Sequence, residues 1–131
     1  MEPLSSGGMI EPGLVLFWFG SDLYYANAGF FAAEARGLIH DSPTPVRWFV
    51  VDCGAITGID YSAGRALADL HQDLAQKGIV LALARIQARH HGDLFQLGLT
   101  QLIGESRLFR SRHECLEAYR KEVEGKGPAQ S

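Results

Sequence analysis

The sequence lacks any long hydrophobic run. None of its uncharged apolar stretches approaches the ~20 residues that a membrane-spanning helix requires, and residues 1–8 lack the charged-then-apolar pattern of a secretory leader. Cysteine is scarce too. The sequence has two cysteines, Cys53 and Cys115, which lie far apart and outside any C-x-x-C spacing. Isolated cysteines of this kind are expected to be small buried hydrophobes in a reducing compartment. These absences predict a cytosolic globular domain.

A basic excess is also missing. The 131 residues include 12 Lys and Arg against 15 Asp and Glu, a formal net charge of −3, which argues against a dedicated nucleic-acid-binding protein. Residues 85–113 depart from this balance, with five arginines and two acidic residues. Two interpretations of this segment stay open. It is an ordinary solvated face, which we favour, or a modest surface facing an anion or a lipid head group.

Recognisable catalytic and phosphate-binding motifs are absent as well. The chain has no P-loop sequence, and the two glycines of residues 54–58 do not form a dinucleotide fingerprint. Ser62 lacks a G-x-S-x-G setting, and no His or Asp can be assigned to it as a catalytic partner. We interpret His90 and His91 as part of a solvated polar loop or helix start, because adjacent helical residues point in different directions. We therefore predict a non-enzyme without a metal.

Turn-forming residues delimit one predicted domain. Residues 1–12 are predicted to form a flexible lead-in, residues 13–124 the folded domain, and residues 125–131 a disordered tail. Inside the domain, short apolar runs predict strands over residues 14–19, 47–51 and 79–84, and the last two are apolar almost throughout, as in strands covered on both faces.

Helical patterns alternate with these strands. Asn27 is predicted to cap a helix that runs to about Ile39, and Lys77-Gly78 is predicted to end a second helix that begins near Ser62. The last helix opens with a capping box formed by Ser111 and Glu114. Strands that alternate with helices predict an α/β domain with a mostly parallel sheet.

The most informative stretch covers residues 50–64. An apolar strand ends at Asp52, and after a short loop Asp60 and Ser62 lie where a helix starts. Either side chain could accept a hydrogen bond from the helix as its N-cap. Ser62 also lies at the positive end of the helix dipole, where a phosphate would add about −1.5 to −2 charges that a partner could recognise.

These residues resemble the STAS domain family over roughly residues 13–123. The resemblance is carried by Asp52 at a strand end, by Ile59-Asp60-Tyr61-Ser62-Ala63, by Lys77-Gly78-Ile79-Val80-Leu81 and by the later Leu97-Gly98-Leu99 and Leu108-Phe109-Arg110-Ser111. It implies a mixed, mainly parallel sheet of four to five strands packed by about four helices. The family includes bacterial anti-sigma-factor antagonists and the cytoplasmic tails of SulP-type anion transporters.

Two features distinguish these branches. In the antagonists, a kinase phosphorylates the serine that matches Ser62, and the usual antagonist pattern there is two small hydroxyl residues followed by Gly. This chain has Tyr61 before the serine and Ala63 after it. The chain also has Tyr24-Tyr25-Ala26-Asn27-Ala28, which looks like the aromatic pair and Ala-Asn-Ala of the transporter branch. The resemblance therefore favours a transporter-type domain.

The transporter resemblance implies a regulatory domain at the inner face of the plasma membrane. Its expected partners are the transmembrane domain of a sulfate-like anion transporter or another regulatory protein, and no nucleic acid. Weak binding of guanine nucleotide (GTP or GDP) is a further implication, with no other cofactor expected. The candidate surface for a partner or nucleotide comprises Thr57, Asp60, Tyr61, Ser62 and Arg65.

The alternative is a free-standing phospho-switch that resembles the antagonists. In that case Ser62 is the phosphate acceptor, and an anti-sigma kinase or a similar protein is the partner. An enzyme such as a nucleotide hydrolase is the weakest of the three hypotheses, because no base or metal set is visible in the sequence.

Overall fold

The computed structural model describes residues 4–126, which form an α/β domain with four strands and five α-helices. The strands are β1 (Ser5–Glu11), β2 (Leu14–Phe19), β3 (Trp48–Asp52) and β4 (Val80–Ala84). The helices are α1 (Ala28–His40), α2 (Tyr61–Gln76), α3 (Ala88–Gln96), α4 (Leu99–Ile103) and α5 (Arg112–Lys126), with a 3₁₀ turn at Glu105–Arg107. The predicted fold class is confirmed, with one helix more than the approximate count.

The strands form one mixed sheet in the order β1-β2-β3-β4. The pairs β2–β3 and β3–β4 are parallel, and β1 pairs with β2 in the antiparallel sense. Helices α1 and α2 connect the three parallel strands, as crossovers between parallel strands require. All three predicted strands are present within one residue of their expected bounds.

The flexible lead-in predicted over residues 1–12 is wrong for the part that the structure describes. Ser5–Glu11 forms an edge strand, and its partner residues run from Ser5 opposite Phe19 to Glu11 opposite Leu14. The two strands are joined by Pro12-Gly13, and Gly13 has a φ of 83°. Pro followed by a positive-φ Gly is the signature of a type II turn. This Pro-Gly pair was the signal in the sequence for a hairpin, and the prediction of a flexible lead-in did not use it.

The first face of the sheet carries the larger part of the core. Val15, Phe17, Phe19, Phe49, Val51, Leu81 and Leu83 alternate along β2, β3 and β4 and pack against apolar residues of α1, α2, α3 and α4. Phe31 of α1 makes an edge-to-face contact with Phe19, with ring centroids 5.2 Å apart. The positive φ of Gly78, 74°, ends α2 beside this core as predicted.

The opposite face of the sheet is covered by α5. Trp48 and Val50 pack there with Cys115 and Tyr119 of the helix. The Tyr119 hydroxyl donates a hydrogen bond to the Pro12 carbonyl at 2.6 Å and so fixes α5 to the β1–β2 turn. Helix α5 extends to Lys126, beyond the predicted domain end at residue 124, and residues 127–131 of the predicted tail lie outside the described residues.

The predicted capping box of α5 forms in part. The Ser111 hydroxyl accepts a hydrogen bond from the Glu114 N–H at 3.0 Å, as expected. The Glu114 carboxylate, however, accepts from the backbone N–H of Arg110 at 3.3 Å. In a capping box the Glu114 carboxylate would accept from the N–H of Ser111, so the observed donor, Arg110, is one residue earlier than the pattern predicts.

Candidate functional site

The candidate site lies at the carboxyl edge of the parallel strands, where residues 53–60 lead from β3 into α2. Asp60 precedes the helix with extended backbone, and its Oδ1 accepts a hydrogen bond from the Ala63 N–H at 2.9 Å. Of the two residues considered as N-cap, Asp60 therefore has this role, and Ser62 is the second residue of the helix.

The second carboxylate oxygen of Asp60 holds a different segment of the chain. Oδ2 accepts a hydrogen bond from the Tyr25 N–H at 2.8 Å. A short parallel bridge joins the same segments, because Leu23 N–H donates to the Gly58 carbonyl and Asp60 N–H donates to the Leu23 carbonyl. The segment of residues 20–27 is thus fixed against the start of α2.

Asp22 provides a second connection between these segments. Its Oδ1 accepts hydrogen bonds from the Thr57 hydroxyl and the Thr57 N–H, both at 2.6 Å, and from the Gly58 N–H at 3.2 Å. The hydrogen bond from the Thr57 hydroxyl, followed by the one from the Thr57 N–H, lowers the pKa of Asp22 below its ordinary value. The hydroxyl and the N–H of Thr57 are therefore both engaged in hydrogen bonds to Asp22 of the same chain.

The predicted side-chain cap by Asn27 on α1 is wrong. Asn27 occupies the position before the helix but makes no side-chain hydrogen bond to its first turn. Its Oδ1 instead accepts from the Tyr24 N–H at 3.1 Å, and its Nδ2 donates to the Asp22 carbonyl at 2.8 Å. Asn27 is buried, and its side-chain amide hydrogen-bonds the preceding loop. These bonds fix the position of the loop that carries Tyr24 and Tyr25.

Helix α3 braces the other side of the loop. The Asp93 carboxylate accepts a hydrogen bond from the Ile59 N–H at 3.2 Å. His90 lies against the Ile56 carbonyl, with Nε2 at 2.5 Å from that oxygen, and its Nδ1 accepts from the Gln87 N–H at 2.9 Å. These partners assign the proton to Nε2, since a carbonyl can only accept.

The solvated interpretation of His90 is wrong. Its exposed fraction is 2%, whereas the adjacent His91 is exposed. Helical geometry sends the two neighbouring rings in different directions, so one is buried beneath the loop while the other faces solvent. The described residues contain no group of three or more His, Cys, Asp or Glu side chains arranged to hold a metal ion.

Five exposed residues lie on the two segments that Asp60 joins, and we name them the α2-start surface: Tyr24, Tyr25, Tyr61, Ser62 and Arg65. Tyr25 and Tyr61 are 77% and 72% exposed, although the Tyr25 N–H is hydrogen-bonded to Asp60. The predicted residues Tyr61, Ser62 and Arg65 belong to this surface. Thr57 and Asp60 are exposed too, but their side chains are hydrogen-bonded to Asp22 and to the Tyr25 and Ala63 N–H groups, so they act as positioning residues.

A shallow depression of about 480 Å³ adjoins the α2-start surface. Its lining includes the three carboxylates of Asp22, Asp60 and Asp93. Each carboxylate already accepts at least one backbone N–H. The depression is therefore electronegative and disfavours a phosphate group.

The arginine-rich segment is largely used for structure. Asp52, with a fully buried side chain, accepts hydrogen bonds from Arg85 Nε at 2.7 Å, Arg112 Nε at 2.6 Å and the Gly54 N–H at 2.9 Å. Burial raises the pKa of Asp52, but these bonds, with that from Arg85 the strongest, outweigh burial and leave the pKa below its ordinary value. Arg85 has a φ of 58°, a conformation that non-glycine residues seldom adopt.

The remaining arginines of that segment also have partners. Arg107 bonds to Glu122 and lies over the Trp48 ring at 4.8 Å from its centroid, and Arg110 pairs with Glu114. Arg89 donates to the Gly54 carbonyl at 3.1 Å. Since two guanidinium groups share Asp52, the group formed by Asp52, Arg85 and Arg112 carries one net positive charge.

Both cysteines are buried, as predicted. Burial, with a smaller contribution from the nearby Asp52, raises the pKa of the Cys53 thiol to about 12. Burial likewise raises the pKa of Cys115 to about 12. Neither thiol has the lowered pKa that a nucleophilic cysteine needs at neutral pH.

Comparison with known proteins places the chain in a family. The model of the STAS domain matches residues 9–115, so the chain belongs to the STAS domain family. Over residues 4–126, no helix is both long and apolar enough to cross a lipid bilayer.

Among the relatives is a Mycobacterium tuberculosis protein named "Probable sulfate transporter", which is 32% identical over 110 residues, 84% of this chain and 20% of that protein. The chain thus spans about a fifth of the length of this relative. Several other relatives are named sulfate transporters of Arabidopsis thaliana, with 22–25% identity.

Solved structures share the fold at lower identity. A sulfate transporter family protein from Wolinella succinogenes has a TM-score of 0.76 and 19% identity, over 88% of this chain and 92% of that chain. The anti-sigma factor antagonist SpoIIAA of Bacillus, in its unphosphorylated form, has a TM-score of 0.63 and 12% identity, over 91% of this chain and 99% of that chain. The fold is therefore common to both branches.

Proposed function

We propose that this chain acts as the STAS domain of a sulfate-type anion transporter, a non-catalytic domain that contacts and regulates the transmembrane part. The named relatives support this role, since the 32% identical segment forms 20% of a protein named as a sulfate transporter. The proposed location is the cytoplasmic side of the plasma membrane, and the proposed partner is the transmembrane domain.

The α2-start surface is the observation that carries the proposed contact. Tyr25 and Tyr61 expose large aromatic side chains, and tyrosine is enriched in protein interfaces because it combines apolar area with a polar tip. Asp60 fixes the backbone on both sides of this pair, through the Tyr25 N–H and the Ala63 N–H. A surface ordered before binding loses less conformational entropy when a partner docks.

Site-specific photocrosslinking tests this contact. A photoreactive benzoylphenylalanine replaces Tyr61 in cells that carry the native gene, and the crosslinked peptide is identified by mass spectrometry. The matched control places the same group at Lys121, which is exposed on α5 across the sheet. We expect a peptide from an anion-transporter transmembrane domain from position 61 only. Crosslinks confined to a soluble kinase would contradict the transporter role.

A second function is favoured by a different observation. Ser62 is exposed in the first turn of α2, and a solved relative of this fold is SpoIIAA of Bacillus in its phosphorylated form. A phosphate on Ser62 would be stabilised by the helix dipole and by Arg65, one turn further along, but repelled by the Asp60 carboxylate. In this alternative, phosphorylation of Ser62 controls release of a protein partner.

Intact mass tests the alternative. The wild-type chain and Ser62→Ala are incubated with ATP and each serine kinase encoded beside the gene. A phosphate added to the wild type but not to the variant would support the phospho-switch. Equal masses, or phosphate on both proteins, would contradict it.

Guanine nucleotide binding is a further proposal for this region. The depression beside Ser62 contains three carboxylates, so any such site needs a cation to screen the phosphates or uses the neighbouring α2-start surface. Titration with GTP and Mg²⁺, followed by backbone amide shifts, tests it. Saturable shifts at residues 57–62 would support binding, and an unchanged spectrum at millimolar GTP would contradict it.

A further inference from the structure

An apolar pocket lies on the sheet face that α5 covers, between the β1–β2 hairpin and that helix. Its volume is about 270 Å³. Its apolar lining comes from Leu14, Leu16 and Val50 of the sheet, Ile10 of β1, and Cys115 and Leu116 of α5. Arg112 and His113, the first two residues of α5, complete the lining at the start of the helix.

The pocket exists because α5 covers only part of this face. The helix packs on Trp48, Val50 and the small residues of β4, and leaves Leu16 and Trp18 of β2 partly exposed. Beside them β1 carries Gly8, around which the space for an added Cβ is empty. A second depression follows this uncovered strip and shares Ile10, Leu16 and Arg112 with the pocket.

Ile10 lies at a β-bulge beside the pocket. Met9 pairs with Val15 and Glu11 pairs with Leu14, so Ile10 is the extra residue of β1. Alternation along β1 places Ile10 on the same face of the sheet as Gly8 and Leu16, which is the pocket face. Ile10 is 54% exposed, an apolar side chain at an open margin of the pocket.

The two lining residues of the pocket that can carry charge are both basic, Arg112 and His113. Arg112 shares the buried carboxylate of Asp52 with Arg85, which leaves one net positive charge on these three residues. The Arg112 side chain is 50% exposed and lines the pocket. His113 pairs with Glu117 through Nε2 at 3.0 Å. An apolar trough that ends at an excess guanidinium charge complements a molecule with an alkyl chain and an anionic head.

We propose that this groove between the β1–β2 hairpin and α5 binds a small amphipathic anion, an alkyl chain that ends in a carboxylate. The chain lies over Leu16 and Leu116, and the carboxylate lies beside Arg112. The Cys115 thiol contributes only apolar contact, because it stays protonated at neutral pH. The site is independent of the α2-start surface and of the function proposed above.

Titration with decanoate tests the proposal, using backbone amide and leucine methyl shifts of the whole chain. Decyltrimethylammonium, with the same chain length and the opposite charge, is the matched ligand control. We expect saturable decanoate shifts at Leu16, Val50 and Leu116 in the millimolar range or tighter, with at least tenfold weaker binding of the cation. Equal shifts by both ligands, or no saturable shift below micelle formation, would overturn the proposal.

A pair of variants locates the site. Ile10→Asp places a carboxylate at the edge of the groove and is expected to weaken decanoate binding at least tenfold. Leu102→Asp makes the same kind of change at an exposed position on α4, across the sheet, and is expected to leave binding unchanged. Equal binding by both variants would contradict the location. If Ile10→Asp fails to fold, Gly8→Leu fills the uncovered strip instead, and unchanged decanoate binding by that variant would contradict it.

A second copy of the chain is the other occupant to exclude. The same spectra are recorded without ligand over a tenfold range of protein concentration. Unchanged shifts at Leu16 and Leu116 are expected for an open groove. Concentration-dependent shifts at those residues would show that a second chain covers it, and would overturn the small-anion proposal.

Discussion

The backbone N–H of Tyr25 donates a hydrogen bond to the Asp60 carboxylate at 2.8 Å, across 35 positions of sequence. The same carboxylate caps α2 through the Ala63 N–H at 2.9 Å. One side chain therefore fixes both the loop that carries Tyr24 and Tyr25 and the helix that carries Tyr61 and Ser62. The order of the α2-start surface depends on this connection.

Asp60→Ala is expected to remove the cap and the loop contact together. Loss of an N-cap costs ~1 kcal/mol of unfolding free energy, and loss of the Tyr25 bond adds to it. Urea unfolding measures the loss, and hydrogen exchange should accelerate at the Tyr25 amide. Ser62→Ala is the matched control, with a change within about 0.5 kcal/mol, because this exposed hydroxyl caps nothing. Equal stability of the two variants would contradict the assignment of the cap.

His90→Ala is expected to lower the free energy of unfolding by about 1–3 kcal/mol, because it leaves the carbonyl of the buried Ile56 without its hydrogen-bond donor and the Gln87 N–H without its acceptor. His91→Ala, one residue further along, should have little effect because His91 is exposed. Thermal and urea unfolding of both variants provide the comparison. Similar losses in the two variants would show that the buried contact of His90 contributes nothing specific.

Asp52→Asn is expected to lower the free energy of unfolding at pH 7 by about 1.5–3 kcal/mol, since it weakens the hydrogen bonds from Arg85 and Arg112. The pKa of Asp52 in the folded protein lies below its ordinary value of 3.8. Its ionised form therefore stabilises the fold above that value, and the contribution is lost as the pH falls through the folded-state pKa. The difference between wild type and variant should shrink over the same range. A difference that stays constant from pH 7 into acid would contradict the ion pairs.

Both cysteines are expected to react slowly with an aromatic disulfide reagent at pH 8. Burial raises the pKa of each thiol from 9.0 to about 12 in the folded protein, which reduces the reactive thiolate. We expect modification at least ~100-fold slower in the native protein than in the urea-unfolded chain. Absorbance of the released thiol measures both rates. Rapid modification of either cysteine in the native protein would show that it is accessible.

Local sequence signals predicted the elements whose cause is local. The three parallel strands are short apolar runs between turn residues, and Gly78 ends α2 because it can adopt a positive φ. The edge strand β1 escaped prediction, since Ser5–Gly8 carries no apolar alternation and is stabilised by pairing with β2 along one side only. The Pro12-Gly13 turn was the available signal for that pairing.

The framework of the candidate site depends on contacts distant in sequence. Asp22 contacts Thr57, Asp93 contacts Ile59 and His90 contacts Ile56, each across at least 34 positions. Local pattern cannot show which of the many polar residues meet in this way. Asn27 illustrates the same limit, because its position before α1 predicted a cap, whereas the tight loop before it offered a closer set of partners.

Sulfate uptake by cells that carry the native gene tests the transporter role most directly. Uptake of radiolabelled sulfate is compared among the wild type, a deletion of this domain, the double variant Tyr25→Ser with Tyr61→Ser, and the control Lys121→Ser at matched protein levels. Uptake should fall with the deletion and with the double variant, and should remain unchanged with the control. Normal uptake in the deletion strain, accompanied by altered sigma-factor-dependent transcription, would contradict the transporter role and favour the phospho-switch.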